Sequence, residues 1–233
     1  MTRVIPQPTI RHDIDSADGL AWLENEYAPP EGGYVRLNMI TSLTGTASGS
    51  DGTSETLSSP VDRRILGVIR AASDVVVVGA ATVRAERYIA PRRTRLAIVT
   101  STGDLGDVSF AEEDRDRVVL VADTTHASAV ERAGSALGID TVVADAAELS
   151  PAAILTALAT RDWTRVVCEG GPSLAGQFAE ARCIDEFCLS LAPQFTPPGT
   201  PLLGHAADIR LAPPHAMLVD DAGFSYLRSR PHA

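Results

Sequence analysis

The stretch Arg165-Val166-Val167-Cys168-Glu169-Gly170-Gly171-Pro172-Ser173-Leu174-Ala175-Gly176 leaves the chain few ways to fold. Its apolar opening, just after Trp163, reads as a short buried strand with Glu169 at the carboxyl end. Two glycines follow, then a proline suited to the first turn of a helix, where its missing N–H costs nothing. Leu174, Ala175, Phe178 and Ala179 carry the apolar spacing of a packed helix. The result is a strand–Gly-Gly–helix corner. Glycine lets a ligand approach the backbone closely, and the free N–H groups and positive dipole end of the helix favour an anion such as phosphate. A bare Gly-Gly-Pro also fits an ordinary tight turn. Glu169 shifts the balance, because it places an acid at the mouth of the corner, where α/β folds hold ligands.

The rest of the chain repeats the alternation. Tyr34 to Ile40 reads as a first strand and runs into a glycine- and serine-rich loop that ends near Thr56. Ser59-Pro60 opens a helix with Ile65, Leu66, Val68 and Ile69 on its apolar side, ending near Arg70. Asp74 to Gly79 is apolar on both faces, as a central parallel strand should be, and leads into a second corner at Ala80-Ala81-Thr82-Val83-Arg84. Buried strands are expected at Arg95–Thr100, Arg117–Ala122 and Thr141–Val143, with helices near 127–137 and 151–159. Glu186–Leu191 and a last strand near Phe224–Arg228 close the chain with no helix between them. The implied fold is a three-layer α/β/α domain with a mixed, mostly parallel sheet and an antiparallel C-terminal edge. Residues 1–33, polar and proline-rich, read as an N-terminal arm with one helix from Ser16 to Tyr27, leaving 34–233 as a single domain.

Composition removes several function classes. The formal net charge of −10 argues against a broad nucleic-acid or anionic-membrane surface. All 20 basic residues are arginine, so P-loop and Schiff-base lysines are excluded. Cys168, Cys183 and Cys188 form no CxxC pair and read as reduced packing residues. His12, His126, His205, His215 and His232 lack metal-ligand spacing, so no metal site is assigned. No 18-residue apolar run and no secretory leader is present, which makes the cytoplasm the expected compartment.

Three stretches together carry a resemblance. They are Leu37-x-x-Ile40-Thr41-Ser42-Leu43-Thr44-Gly45, then Val77 to Arg84, then Glu169 to Gly176 followed by Ile184-Asp185-Glu186 and Ala192-Pro193. In order and spacing, over roughly residues 34–230, the chain resembles the reductase domain of bacterial riboflavin-biosynthesis deaminase–reductases, which has a dihydrofolate-reductase-like fold. The zinc-deaminase half is absent, so the resemblance is to a stand-alone reductase. It implies NADPH as cofactor, a ribosylamino-pyrimidine phosphate as the small-molecule substrate, and a homodimer.

By position, the resemblance assigns cofactor contacts to Ile40, Gly79, Thr82, Glu86, Ser101, Gly170, Gly171, Ser173, Leu174 and Ala175. It assigns substrate contacts to Ser54, Arg70, Arg93 and Glu169, with Glu169 the catalytic acid. Alternatives stand beside these roles. Glu169 could cap a helix, Arg70 could end one as a last-turn cation, Ser54 could be a turn residue, and Arg92 with Arg93 could be a solvated pair. Two departures from the family pattern matter. Ser42-Leu43-Thr44-Gly45 stands where the family reads Ser-Leu-Asp-Gly, and Glu86-Arg87-Tyr88 stands for Asp-Asp-Pro. They leave open a same-fold reductase of a pterin or dihydrofolate, or a nucleotide-binding protein without turnover. No arginine is clearly placed to choose NADPH over NADH.

Overall fold

The computed structural model describes residues 1–6, 8–204 and 209–232, so His205 lies outside the described residues. Its strands are β1 (Thr2–Ile5), β2 (Ile10–Arg11), β3 (Tyr34–Thr41), β4 (Val75–Gly79), β5 (Arg95–Val99), β6 (Val118–Asp123), β7 (Asp140–Ala144), β8 (Arg165–Gly170), β9 (Glu186–Leu191), β10 (Ala216–Val219) and β11 (Ser225–Ser229). Its α-helices are α1 (Ala17–Glu26), α2 (Pro60–Ala71), α3 (Ala80–Glu86), α4 (Ala127–Leu137), α5 (Pro151–Ala159) and α6 (Pro172–Glu180). A 3-10 helix spans Glu112–Arg117, in a stretch that carries no helical periodicity.

The strands form one sheet in the order β2-β1-β10-β11-β9-β3-β8-β4-β5-β6-β7. From β9 to β7 every pairing is parallel. β11, β10, β1 and β2 add on antiparallel. Val75 to Val78 on β4 are all fully buried because helices cover both faces of the sheet. Val76, Val78, Leu96 and Ile98 pack under α2 and α3 with Ile65, Ile69 and Val83. Val75, Val77, Ala97 and Val166 pack under α5 and α6 with Ile154, Leu158, Ala175 and Phe178. Each valine, leucine, isoleucine or phenylalanine among them contributes about 1.5–3 kcal/mol by leaving water. The architecture is the three-layer, mostly parallel α/β/α arrangement that the sequence implies.

Local signals set the helix starts. Ser59 and Ser150 accept from Asp62 N (3.0 Å) and Ala153 N (3.2 Å), with Pro60 and Pro151 as first helical residues. Ser16 caps α1 in the same way through Gly19 N at 3.0 Å. The three cysteines are free thiols, and burial pushes Cys168 and Cys188 up to about 12.

The outermost antiparallel strands come from the N-terminus. β1 pairs with β10, and β2 pairs with β1, so residues 2–11 extend the sheet beyond its C-terminal strands. These strands are short and flanked by prolines, which hides them from period-two patterning. The end of α1 is tied down by an ion cluster at the junction of β3, β9 and β11. Glu186, fully buried, accepts from Arg36 Nε at 2.6 Å and from Arg228 Nη2 and Nε at 2.6 and 2.9 Å. His215 Nε2 lies 3.0 Å from the same carboxylate. The arginines reach on to the arm, Arg36 donating to the Tyr27 carbonyl at 2.7 Å and Arg228 to that of Glu26. Burial alone would raise the Glu186 carboxyl, but Arg228 and Arg36 outweigh it and hold the group below its usual range.

Glu186→Gln should therefore lower the unfolding free energy by about 3–5 kcal/mol, because two buried guanidinium groups lose their counter-charge. Urea midpoints at neutral pH measure this. Since the folded carboxyl titrates low, its contribution is complete above the unfolded value of about 4.3 and fades as pH falls through the folded one. The variant's deficit should shrink in acid accordingly.

Candidate active site

The candidate site is assembled at the carboxyl ends of four neighbouring parallel strands, β3, β8, β4 and β5. Ile40 lies one residue from the end of β3, Gly79 ends β4, Glu169-Gly170 end β8, and Ser101 follows β5 by two residues. The backbone is bare there for a reason that can be measured. Gly170 has φ +86°, and a Cβ on it would lie 3.1 Å from Met39 Sδ. A Cβ on Gly171 would stand 2.4 Å from Thr82 Oγ1, the atom that accepts the Gly171 N–H at 2.7 Å. A Cβ on Gly79 would be 4.0 Å from the Gly170 carbonyl, so the two corners lie side by side. The Gly170–Gly171 peptide is cis.

Helix α6 starts at this corner with Pro172 in its first turn and no side-chain cap. Ser173 is exposed, whereas the side chains of Leu174 and Ala175 are buried in the core. These two offer the corner backbone, not side chains. Ser101 is exposed, and the adjacent Thr100 Oγ1 shapes the turn by accepting from Thr102 N (3.2 Å) and Gly103 N (2.9 Å). An uncapped helix start beside bare glycine backbone fits the pyrophosphate of a dinucleotide.

On the α2 side of the corner stands a three-residue unit. Glu169 accepts from Arg70 Nε at 2.7 Å and Nη2 at 2.6 Å, a two-pronged ion pair. The Tyr88 hydroxyl donates to Glu169 Oε2 and accepts from Arg70 Nη2 at 2.6 Å. The Glu169 side chain is 7% exposed and that of Arg70 22%. Burial works against the Arg70 charge, yet the hydrogen bonds and charge of Glu169 outweigh it and raise the group above its usual value. Tyr88 is raised well above the phenol range, first by burial and then by the Glu169 charge. At neutral pH Arg70 stays a guanidinium and Tyr88 an intact hydroxyl.

The other expected site residues fall into different places. Ser54 and Glu86 bond each other, Ser54 N to Oε1 at 3.0 Å and Oγ to Oε2 at 3.3 Å, which pins the glycine-rich loop to the end of α3. Arg93 is exposed and precedes β5 by two residues, at the opposite end of that strand from Ser101. Thr44 belongs to a cluster of hydroxyls. Ser42 Oγ lies 2.8 Å from the hydroxyls of Thr44, Thr46 and Thr196, and Thr44 also donates to the Thr196 carbonyl at 3.0 Å. Hydroxyls thus tie the turn after β3 to the segment after β9.

Tyr88 is the member that sequence reasoning missed. Arg70, Tyr88 and Glu169 come from α2, the loop after α3 and β8, and no local spacing links them. The one trace is Tyr88 itself, standing where the resembled pattern has proline.

The family model described as the RibD C-terminal domain matches residues 33–207. Riboflavin biosynthesis protein RibD of Mycobacterium tuberculosis is 30% identical over 170 residues, covering 69% of this chain and 42% of that protein. The chain therefore spans less than half the length of the curated relatives it matches. Among solved structures, a pyrimidine reductase-like protein from Corynebacterium diphtheriae superposes with a TM-score of 0.77 at 21% identity, over 91% of this chain and 99% of that one. A dihydrofolate reductase from Enterococcus faecalis, solved with NADP(H), superposes at 0.52 and 12% identity, over 86% and 97%. Those two likenesses establish a dihydrofolate-reductase-like fold.

Glu169→Ala should cost about 2–3 kcal/mol in thermal or urea unfolding, less than a fully buried pair because Arg70 is partly exposed. Glu169→Gln with Arg70→Met should recover most of that loss, since no unpaired charge remains. Equal losses in the single and double variants would count against the ion pair as the cause.

Proposed function

Because the chain belongs to the RibD C-terminal domain family, we propose that it is an NADPH-dependent reductase of a 5-amino-6-(5-phosphoribosylamino)uracil-type substrate in riboflavin formation. The product is the ribitylamino compound. The observation that carries this reading is the bare glycine corner at an uncapped helix start, set directly beside the ion-paired Glu169. Gly170, Gly171 and the first N–H groups of α6 hold the pyrophosphate, Thr82 fixes the corner, and Ser101 takes the outer end of the cofactor. When bound, the dihydronicotinamide supplies a hydride. The protein supplies placement. Arg70 and Tyr88 hold the Glu169 carboxylate in one orientation, and that carboxylate presents its remaining lone pairs to N–H groups of the substrate ring.

Arg70 is committed to Glu169, so the substrate phosphate falls to the exposed Arg93 in this reading. A homodimer in solution completes it and is measured by analytical ultracentrifugation.

The test is NADPH oxidation, followed by absorbance, with the deaminated ribosylamino-pyrimidine phosphate and with dihydrofolate in parallel. Turnover of the pyrimidine, with Arg93→Ala raising its KM about tenfold or more, is the expected result. Turnover of dihydrofolate alone would make this a reductase of another heterocycle. NADPH binding with no turnover of either would make it a nucleotide-binding protein.

Cofactor placement has its own check. Gly171→Ala puts a methyl 2.4 Å from Thr82 Oγ1, so the corner must shift. Its Kd for NADPH, by fluorescence titration, should rise about tenfold or more while the fold is kept. An unchanged Kd would place the cofactor elsewhere.

A further inference from the structure

Helix α3 has different neighbours at its two ends. Thr82, in its first turn, meets the glycine corner, where its Oγ1 accepts the Gly171 N–H. Arg84 and Arg87, at the other end, border a cavity of about 750 Å³ that opens between the helix and the segment 106–114 after β5. Val108, Phe110, Ile89 and Ala90 supply its apolar surface. The volume is that of a small-molecule site. Arg70, Glu169 and the glycine corner are not among its lining residues, so it is separate from the site described above.

The cavity is cationic in a chain whose formal net charge is −10. Arg87 is exposed, and its guanidinium makes no hydrogen bond or ion pair with any described residue. Arg84 Nη1 donates to the Asp104 carbonyl at 2.5 Å, a neutral acceptor that leaves the charge unbalanced. Of the two acids on the wall, Asp114 is paired with Arg117, and only Asp107 has no partner among the described residues. Two unbalanced guanidinium groups thus stand against one free carboxylate. Planar, forked donors of this kind match a phosphate, and the Ser109 hydroxyl on the same wall adds a further donor.

Tyr88 joins this cavity to the carboxylate. Arg87 ends α3 in the left-handed region, with φ 47°, which is uncommon for a residue other than glycine. The next N–H, that of Tyr88, donates back to the Val83 carbonyl at 3.1 Å. Across this turn Arg87 is left exposed while Tyr88 reaches inward. Tyr88 lines the cavity, yet its hydroxyl donates to Glu169 Oε2 and accepts from Arg70 Nη2 at 2.6 Å. One side chain is shared by the cavity and the Glu169 unit.

We propose that the cavity is a second binding site, for a phosphate monoester of mononucleotide size that carries a planar ring. Arg87 and Arg84 hold the phosphate, and the ring lies against Tyr88, Ile89 and Phe110. Occupancy steadies the Arg87–Tyr88 turn, keeps the hydroxyl on Glu169 and so tightens binding of the substrate. The coupling rests on the reductase reading above, whereas the site itself does not. Because linkage is reciprocal, bound substrate tightens the phosphate ester by the same factor. The ligand acts by binding alone, with no bond made or broken.

The probe is adenosine 5′-monophosphate, titrated by calorimetry into protein saturated with NADPH so that the dinucleotide corner is filled. Carbon-13 NMR of labelled tyrosine rings, with Tyr88 assigned from Tyr88→Phe, locates it. The probe should bind and shift the Tyr88 ring, with adenosine and inorganic phosphate each weaker. Arg87→Glu should weaken it about tenfold or more, with the urea midpoint and NADPH affinity unchanged. In pyrimidine turnover the probe should lower the wild-type KM about fivefold or more. It should leave KM unchanged in Arg87→Glu, and also in Tyr88→Phe, which still binds it. No binding of the probe, or equal binding by Arg87→Glu, would overturn the site. A competitive rise in KM would make the cavity the substrate's own, and binding without any change in KM would overturn the coupling. Absence of pyrimidine turnover in the wild type would remove the reductase reading and the coupling together, while the titration still decides the site.

Discussion

The Glu186 carboxylate, held between Arg36 and Arg228, is the contact on which the arrangement of the sheet depends. It sits where the parallel strands give way to antiparallel ones, on β9 with its partners on β3 and β11. A parallel strand can be extended by hairpins only if the junction has no register error, since a one-residue slip turns every side chain to the opposite face. A buried carboxylate that must meet two guanidinium groups is intolerant of such a slip. The same arginines hold the end of α1, so the N-terminal segment is fixed to the domain by charge as well as by strand pairing.

The corner and the carboxylates rely on different physics. The corner is defined by what is missing, a Cβ at Gly170 and Gly171, which leaves its backbone bare. The Arg70–Tyr88–Glu169 unit is defined by saturation, with each polar group committed to another. A saturated unit keeps its shape.

What the sequence disclosed follows the range of the physics involved. Val75–Val78, Pro60, Pro151 and Gly170-Gly171 act over a few residues, and they mark strands, helix starts and the corner where the structure has them. β1, β2 and β10 are four residues or fewer, too short for an alternating pattern to stand out. The unions of Arg70 with Glu169, and of Ser54 with Glu86, join residues 99 and 32 positions apart. Residue type could suggest that each was polar and near a ligand. It could not reveal that they would spend their hydrogen bonds on each other.

The hydroxyl cluster of Ser42, Thr44, Thr46 and Thr196 has a consequence of a different kind. A hydroxyl can give or accept and can rotate, so the bonds between these side chains adjust without moving a heavy atom. A carboxylate at Thr44 would fix those directions and add a charge that ions in solution could screen. The fastening of this loop is therefore indifferent to ionic strength and acidity, a mechanical joint in a molecule that holds Glu169 and Glu186 by electrical ones.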